Sequence, residues 1–185
     1  IPPMEVETWY GSASESLPDS VKEWFTAVYT AAKEKKLTTG GSVLLTILNS
    51  AFDTASQELV ETVQKAMDPE AYGGEGYGLA PIGHLVSVKS AEGVQITVKI
   101  KITFDHGYNW TKSRSAIEDA INGYFSELRR EWADTTALVV RISQIETRIL
   151  GIKGIVDVED TMLNDHAENL ILGAFEVPVF GGVSE

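Results

Sequence analysis

Five glycines stand within eleven positions of this chain, at 73, 74, 76, 78 and 83, inside the stretch "YGGEGYGLAPIGH". Glycines this dense do one of two things. They let backbone N–H groups close on the phosphates of a ligand, or they take positive φ angles where the chain must turn sharply. A dinucleotide cradle needs the order strand, glycines, helix, so that a helix N-terminus faces the pyrophosphate. Here the predicted order is helix, glycines, strand, and no Gly-Lys-Ser or Gly-Lys-Thr completes a Walker loop. The bend reading is preferred: Gly76, Gly78, Pro81 and Gly83 form a structural joint between lobes that leads the chain into a strand at Leu85 to Val88. No phosphate ligand or cofactor is expected.

The other reactive side chains are weighed in the same way. Of His84, His106 and His166, two follow an aspartate, as Asp105-His106 and Asp165-His166. Such a pair could ligate zinc or form half of an acid–base site. Neither has a helical His-x-x-x-His spacing or a further ligand nearby, and both fall where turns are expected, which Asp and Asn favour anyway. Asp157, Glu159 and Asp160 lie close together, but Asp157 and Glu159 alternate with Val156 and Val158 like the wet face of a strand. No Gly-x-Ser-x-Gly frames a serine nucleophile. No catalytic residue and no metal site is assigned. Among the tryptophans, Trp24 and Trp132 sit on helical stripes and read as core. Trp9 and Trp110 lie in loop-like segments, where each is either a docking anchor of an interface or the cap of a lobe.

Composition narrows the partners. With 15 basic and 27 acidic residues the net charge is −12, which repels nucleic acid and anionic lipid unless the cations cluster. The only basic knot, Lys33 to Lys36, reads as the last turn of a helix, offsetting its dipole. No apolar run approaches a membrane span. Cysteine is absent, which excludes disulfides and thiolate chemistry and fits synthesis in a cytoplasm. The chain opens on Ile with no signal-peptide pattern, and residues 1–17 read as a linker-like lead-in within a longer protein.

The elements that must hold these residues follow from periodicity. A helix is expected from Pro18, with Ser16 and Asp19 at cap spacing and Val21, Trp24, Phe25, Val28 and Ala32 on one face. "SVLLTIL" (42–48) reads as a buried strand. A second helix starts at Thr54, carries Leu59, Val60, Val63 and Met67, and ends at Asp68-Pro69. The strongest signal is "VQITVKIKITF": Val94, Ile96, Val98, Ile100, Ile102 and Phe104 alternate with polar residues without exception. It predicts a half-buried strand about 36 Å long, in antiparallel pairing. "SAEG" (90–93) would turn it back on the preceding strand. Ile117, Ile121, Tyr124, Phe125, Leu128 and Trp132 mark a long helix, and Ile142, Ile145 and Ile149 a shorter one ended by Gly151 or Gly154. Two strands flank an Asn164-Asp165 turn, and Pro178 makes the last an edge strand. The expected fold is α+β, with mixed or antiparallel sheets and helices packed on one face, in two small lobes, 18–83 and 84–185.

The ordered set "PEAYGGEGYGLAPIGHLVSV", the alternating strand, "GYNW", "ELRREW", "LVVRISQIETRILGIKGIVDVEDTMLND" and "NLILGAFEVPVFGGVSE" resembles the baseplate J-like family of tailed bacteriophages, in the prophage form of Gram-positive hosts. The resemblance runs over about residues 55 to 185, whereas "VYTAAKEKKLTTGG" departs from the glycine-rich loop the family implies there. It implies a non-enzymatic wedge component of a contractile-tail baseplate, located in the virion and made in the host bacterial cytoplasm. It also implies other baseplate and tail proteins as partners, a homo-oligomeric ring, a further N-terminal part, and no small-molecule substrate. The rival readings are a hydrolase built on an Asp-His pair, acting on a cell-wall polymer, and a carbohydrate-binding module using Trp9 or Trp110.

Overall fold

The computed structural model describes residues 17–23 and 41–185. These fall into two compact units. Residues 17–23, 41–45 and 58–89 make the first, and 46–57 and 90–185 make the second. The division expected between residues 83 and 84 therefore lies inside the first unit, and 46–57 groups with the second.

Near its start the chain is helical at 19–23, where Val21 and Lys22 donate to the Pro18 carbonyl. The remaining stripe from Trp24 to Ala32 lies outside the described residues, as do Ser16, Trp9 and the basic knot. Strand β1 (Ser42–Ile47) follows, then helix α1 (Gln57–Met67), a 3-10 turn (Glu70–Tyr72) and strand β2 (Leu85–Ser90). β1 and β2 are paired. Leu85 N–H bonds the Gly41 carbonyl and Ala91 N–H bonds that of Ile47, so pairing advances the same way along both chains and the pair is parallel. Parallel neighbours need a crossover, which α1 supplies. β1 is less buried than expected, with Val43 and Leu44 44% and 46% exposed. α1 starts three residues later than the Thr54 cap predicts, because Thr54 bridges back to Leu48. Leu59, Val60, Val63 and Met67 share its half-buried face.

The second unit is built on β3 (Glu92–Phe104). Its burial alternates as the sequence predicts: Ile96, Val98, Ile100 and Ile102 are buried, Val94 and Phe104 half-buried, and Gln95, Thr97, Lys99, Lys101 and Thr103 exposed. It is the central strand of a three-stranded sheet ordered β5-β3-β7, with β5 (Ile155–Leu163) antiparallel and β7 (Glu176–Ser184) parallel to it. The expected hairpin with β2 does not form, since β2 and β3 lie in different sheets. Ala91 instead bonds Ile47, and Glu92 N–H bonds the Phe175 carbonyl. Pro178 lies on an outer strand of the sheet, where a missing N–H is tolerated.

Helix α2 (Trp110–Glu131) packs against β7, and helix α3 (Ile142–Leu150) packs against β5 and α2. Ile117, Ile121, Tyr124 and Phe125 from α2 and Ile145 and Ile149 from α3 meet the β3 row in one core. Short strands β4 (Val139–Val140) and β6 (Leu170–Ile171) pair beside it. The Tyr124 hydroxyl accepts Arg141 N–H at 3.0 Å, and Asn169 Oδ1 accepts the first amide of α3. Asn164 and Asp165 have φ of 49° and 64°, and Leu163 and His166 exchange two backbone bonds across them. This is the two-residue turn their positions imply. The chain beyond it does not run back along β5 as one strand. It forms β6, then crosses to the far side of β3 as β7.

Candidate assembly surface

The glycine segment joins α1 to β2 within the first unit and is tied down on both sides. Gln64 and Asp68, one helical turn apart at the end of α1, reach the edge of β2. Gln64 Nε2 donates to the Val86 carbonyl at 2.9 Å, and its Oε1 accepts Val88 N–H at 2.8 Å. The amide thus substitutes for a neighbouring strand. Asp68, only 3% exposed, accepts Gly74 N–H with one oxygen (2.9 Å) and Val86 N–H with the other (3.0 Å). These amides, Val86 first and Gly74 second, hold the carboxyl below its usual range, outweighing the opposing effect of burial. Neither Gln64 nor Asp68 was singled out from sequence. The available signal was a pair of polar residues four apart on the apolar side of a helix that ends at Asp-Pro.

The four joint residues have distinct places in this loop. Gly78 lies so close to the Met67 carbonyl that a Cβ would overlap its backbone. Gly83, at φ +84°, has open space where a side chain would go, so its constraint is conformational. Pro81 offers its carbonyl to His84 N–H at 3.0 Å, and Gly76 has Ile82 packed beside it. The order is helix, loop, strand, and the loop amides described here are spent within the protein. Leu79 N–H bonds Ala66, Ala80 N–H bonds Met67 and Gly83 N–H bonds Gly74.

The candidate reactive groups are spread apart. His84, His106 and His166 are all exposed. Asp105 Oδ1 accepts the backbone N–H of His106 at 2.7 Å, which is turn geometry. Among the described residues no group of three or more His, Asp or Glu side chains is placed to hold a metal, and no helix is long and apolar enough to cross a membrane. Asp157 and Glu159 are exposed, and Glu159 pairs with Lys101 across the strands at 2.8 Å. That pairing raises the Lys101 pKa and lowers that of Glu159. Val156, expected to face inward, is 59% exposed, because the register slips between Thr103 and Phe104 and leaves it unmatched. A second slip lies opposite Ile100, where Asp160 has φ +52°. Two bulges along one strand re-aim its side chains twice. Trp110 is not in a loop. It is the first residue of α2, after the cap Asn109, whose side chain accepts Lys112 N–H, and it is half-buried against the core.

Among the described residues the candidate reactive groups form no catalytic constellation, and what stands out is a sheet with helices on one face and a braced loop. Residues 96–184, spanning this sheet and both helices, match the family model described as Baseplate J-like protein C-terminal domain. This segment belongs to the baseplate J-like family. Two relatives from Bacillus subtilis (strain 168) extend the comparison beyond that segment. One, named "Phage-like element PBSX protein XkdT", is 30% identical over 165 residues, covering 88% of this chain and 45% of its own. The other, named "Uncharacterized protein YqbT", is 31% identical over 144 residues, covering 78% of this chain and 39% of its own. The chain thus spans less than half the length of these relatives. The baseplate J-like assignment supports a structural role in a phage tail.

Proposed function

We propose that this chain is a structural part of the baseplate of a bacteriophage or prophage contractile tail, acting by wedge and ring assembly and without enzymatic turnover. The observation that carries the reading is the match of 96–184 to the baseplate J-like C-terminal domain, supported by a relative named for a phage-like element. Its partners in this reading are other baseplate and tail proteins, with a homo-oligomeric ring in the assembled tail. Its location is the virion tail, after synthesis in the host bacterium. The glycine loop and the open sheet face then serve architecture. Trp9 and the exposed part of Trp110 are proposed contacts. Because Trp110 also packs on the core, its contact is tested with Trp110→Phe rather than alanine.

The test is deletion in the producing bacterium. Tails made without the protein should lack baseplates by electron microscopy, and wild-type tails should contain it by mass spectrometry. Complete tails from the deletion strain would overturn the reading. Incubation of the purified chain with peptidoglycan, glycans and model esters should give no product above buffer, and saturable turnover abolished by His106→Ala would restore the hydrolase alternative. The charge of −12 disfavours self-association through mutual repulsion. The isolated chain should therefore sediment as a monomer or small weak oligomer at low salt.

A further inference from the structure

We propose that the glycine loop of the first unit is a preformed docking knob for another protein of the tail, one whose surface offers an apolar depression rimmed by lysine or arginine; the proposal rests on the baseplate reading. The loop displays large apolar side chains instead of covering them. Tyr77, Leu79 and Ile82 are 69%, 77% and 79% exposed, and Tyr72 is 49% exposed. Large apolar groups gathered on one short exposed segment mark a contact site more often than an ordinary surface. The Tyr72 and Tyr77 rings are stacked with centres 4.6 Å apart. Ile82 lies against Gly76, the neighbour of Tyr77, in the space a Cβ there would need. Two rings and a branched aliphatic chain are thereby held at the loop surface.

The display is braced before any partner arrives. Gly78 is pressed on the end of α1, Gly83 N–H bonds the Gly74 carbonyl at 2.8 Å, and the Asp68 carboxylate fixes the Gly74 amide. A surface already in its contact shape loses little conformational freedom on binding, and tyrosine is among the side chains that concentrate interface energy.

Charge selects the occupant. Between Lys65 and Lys89 the chain has no lysine or arginine, and the exposed carboxylates beside the rings are Glu70 and Glu75. A second copy of a chain carrying −12 would bring like charge to this site, whereas a basic rim complements it.

The experiment places photoreactive benzoylphenylalanine at position 82 in the full protein, produced in the bacterium that assembles the tails. Purified tails are irradiated and the adduct is mapped by mass spectrometry. The expected adduct is to a different tail protein, in a surface bearing Lys or Arg around an apolar site. An adduct to a second copy, an adduct to another part of the same chain, or no adduct overturns the proposal. In a parallel arm, the double substitution Tyr77→Ser with Ile82→Ser should leave the melting temperature unchanged and lower incorporation into tails by about tenfold or more. Glu75→Lys should lower it further than Glu75→Gln. Normal incorporation of all three variants sinks the knob while leaving the baseplate reading standing. Absence of the wild-type protein from tails sinks both.

Discussion

A single methyl group at Gly78 tests how the glycine loop is held. A Cβ there would overlap the Met67 carbonyl oxygen and lie 2.7 Å from its carbon and 2.9 Å from the Ala66 oxygen. All are backbone atoms, so no rotamer change gives relief. The loop must lift from the end of α1, breaking the bonds from Leu79 N–H to Ala66 (3.0 Å) and from Ala80 N–H to Met67 (2.9 Å). Two backbone hydrogen bonds at about 1 kcal/mol each, with an overpacking strain of about 1–3 kcal/mol that lifting partly relieves, put the cost of Gly78→Ala near 2–4 kcal/mol. Gly83→Ala is the contrast. Its Cβ meets nothing within 4 Å, so only the positive φ of +84° counts. That costs about 1–2 kcal/mol, offset by about 0.4–1 kcal/mol from a stiffer unfolded chain. Native-state hydrogen exchange at Ala80, Val86 and Val88 reads the opening free energy of this segment directly. Protection of Ala80 should fall by about 30-fold or more in Gly78→Ala and by about 15-fold or less in Gly83→Ala. Wild-type protection in Gly78→Ala, or a larger loss in Gly83→Ala, would show that the loop is not seated on the helix end as described.

Three further outcomes are expected. Ile100→Ala, which empties a site 1% exposed, should cost about 2–5 kcal/mol in urea unfolding, while Lys99→Ala on the wet face should stay within about 0.5 kcal/mol; equal costs would refute the one-sided sheet. The Asp68 carboxyl is held below its usual pKa, so its contribution is fully present above about pH 4 and is lost as pH falls through the folded value. Exchange protection at Gly74 and Val86 should therefore be flat from pH 6 to 8 after correction for intrinsic rates and collapse in acid, and Asp68→Asn should lower it already at neutral pH; an unchanged profile in Asp68→Asn would remove the carboxylate from the account. Arg129, 13% exposed, bonds Asp53 at 2.9 Å and the Pro178 carbonyl at 2.9 Å, so Asp53→Ala, which strands a largely buried guanidinium, should lower stability by about 1–3 kcal/mol and more than Arg129→Met does in parallel thermal melts.

Faces were readable from the sequence, and neighbours were not. Strict alternation from Val94 to Phe104 gave both sides of β3, because a side chain on a strand points up or down irrespective of what lies beside it. The stripes of α2 and α3 and the Asn164-Asp165 turn are local in the same sense. Pairing partners are set by distant residues, so the closeness of β2 and β3 along the chain wrongly implied a hairpin, and β7 was placed beside β5 when it lies across β3. Val156 breaks its expected alternation at a bulge defined only against the opposite strand. Trp110 resembles a loop residue in the sequence because its helix begins there, directly after the Asn109 cap, and the turn before it is polar. Of the joint, the glycines stood out by density. The side chains that hold it, Gln64 and Asp68, show locally only as polar residues on the apolar side of a helix, and the groups they bind lie up to 24 positions away.

The parallel pairing of β7 with β3 also sets an order of events during synthesis. Their matched residues are more than eighty positions apart, Glu92 with Glu176 and Val98 with Val183. The central strand of the sheet therefore leaves the ribosome long before one of its two neighbours exists. Until residues 176–184 emerge, one edge of β3 stays open, and the apolar row meant for the core lacks Val177 and Val183. An open edge beside uncovered apolar side chains is the template for pairing with the wrong chain. Truncation before β7 should consequently give aggregates rather than a shortened domain. Where many copies are made close together, the interval before the last strand arrives is when nascent chains are most exposed to one another.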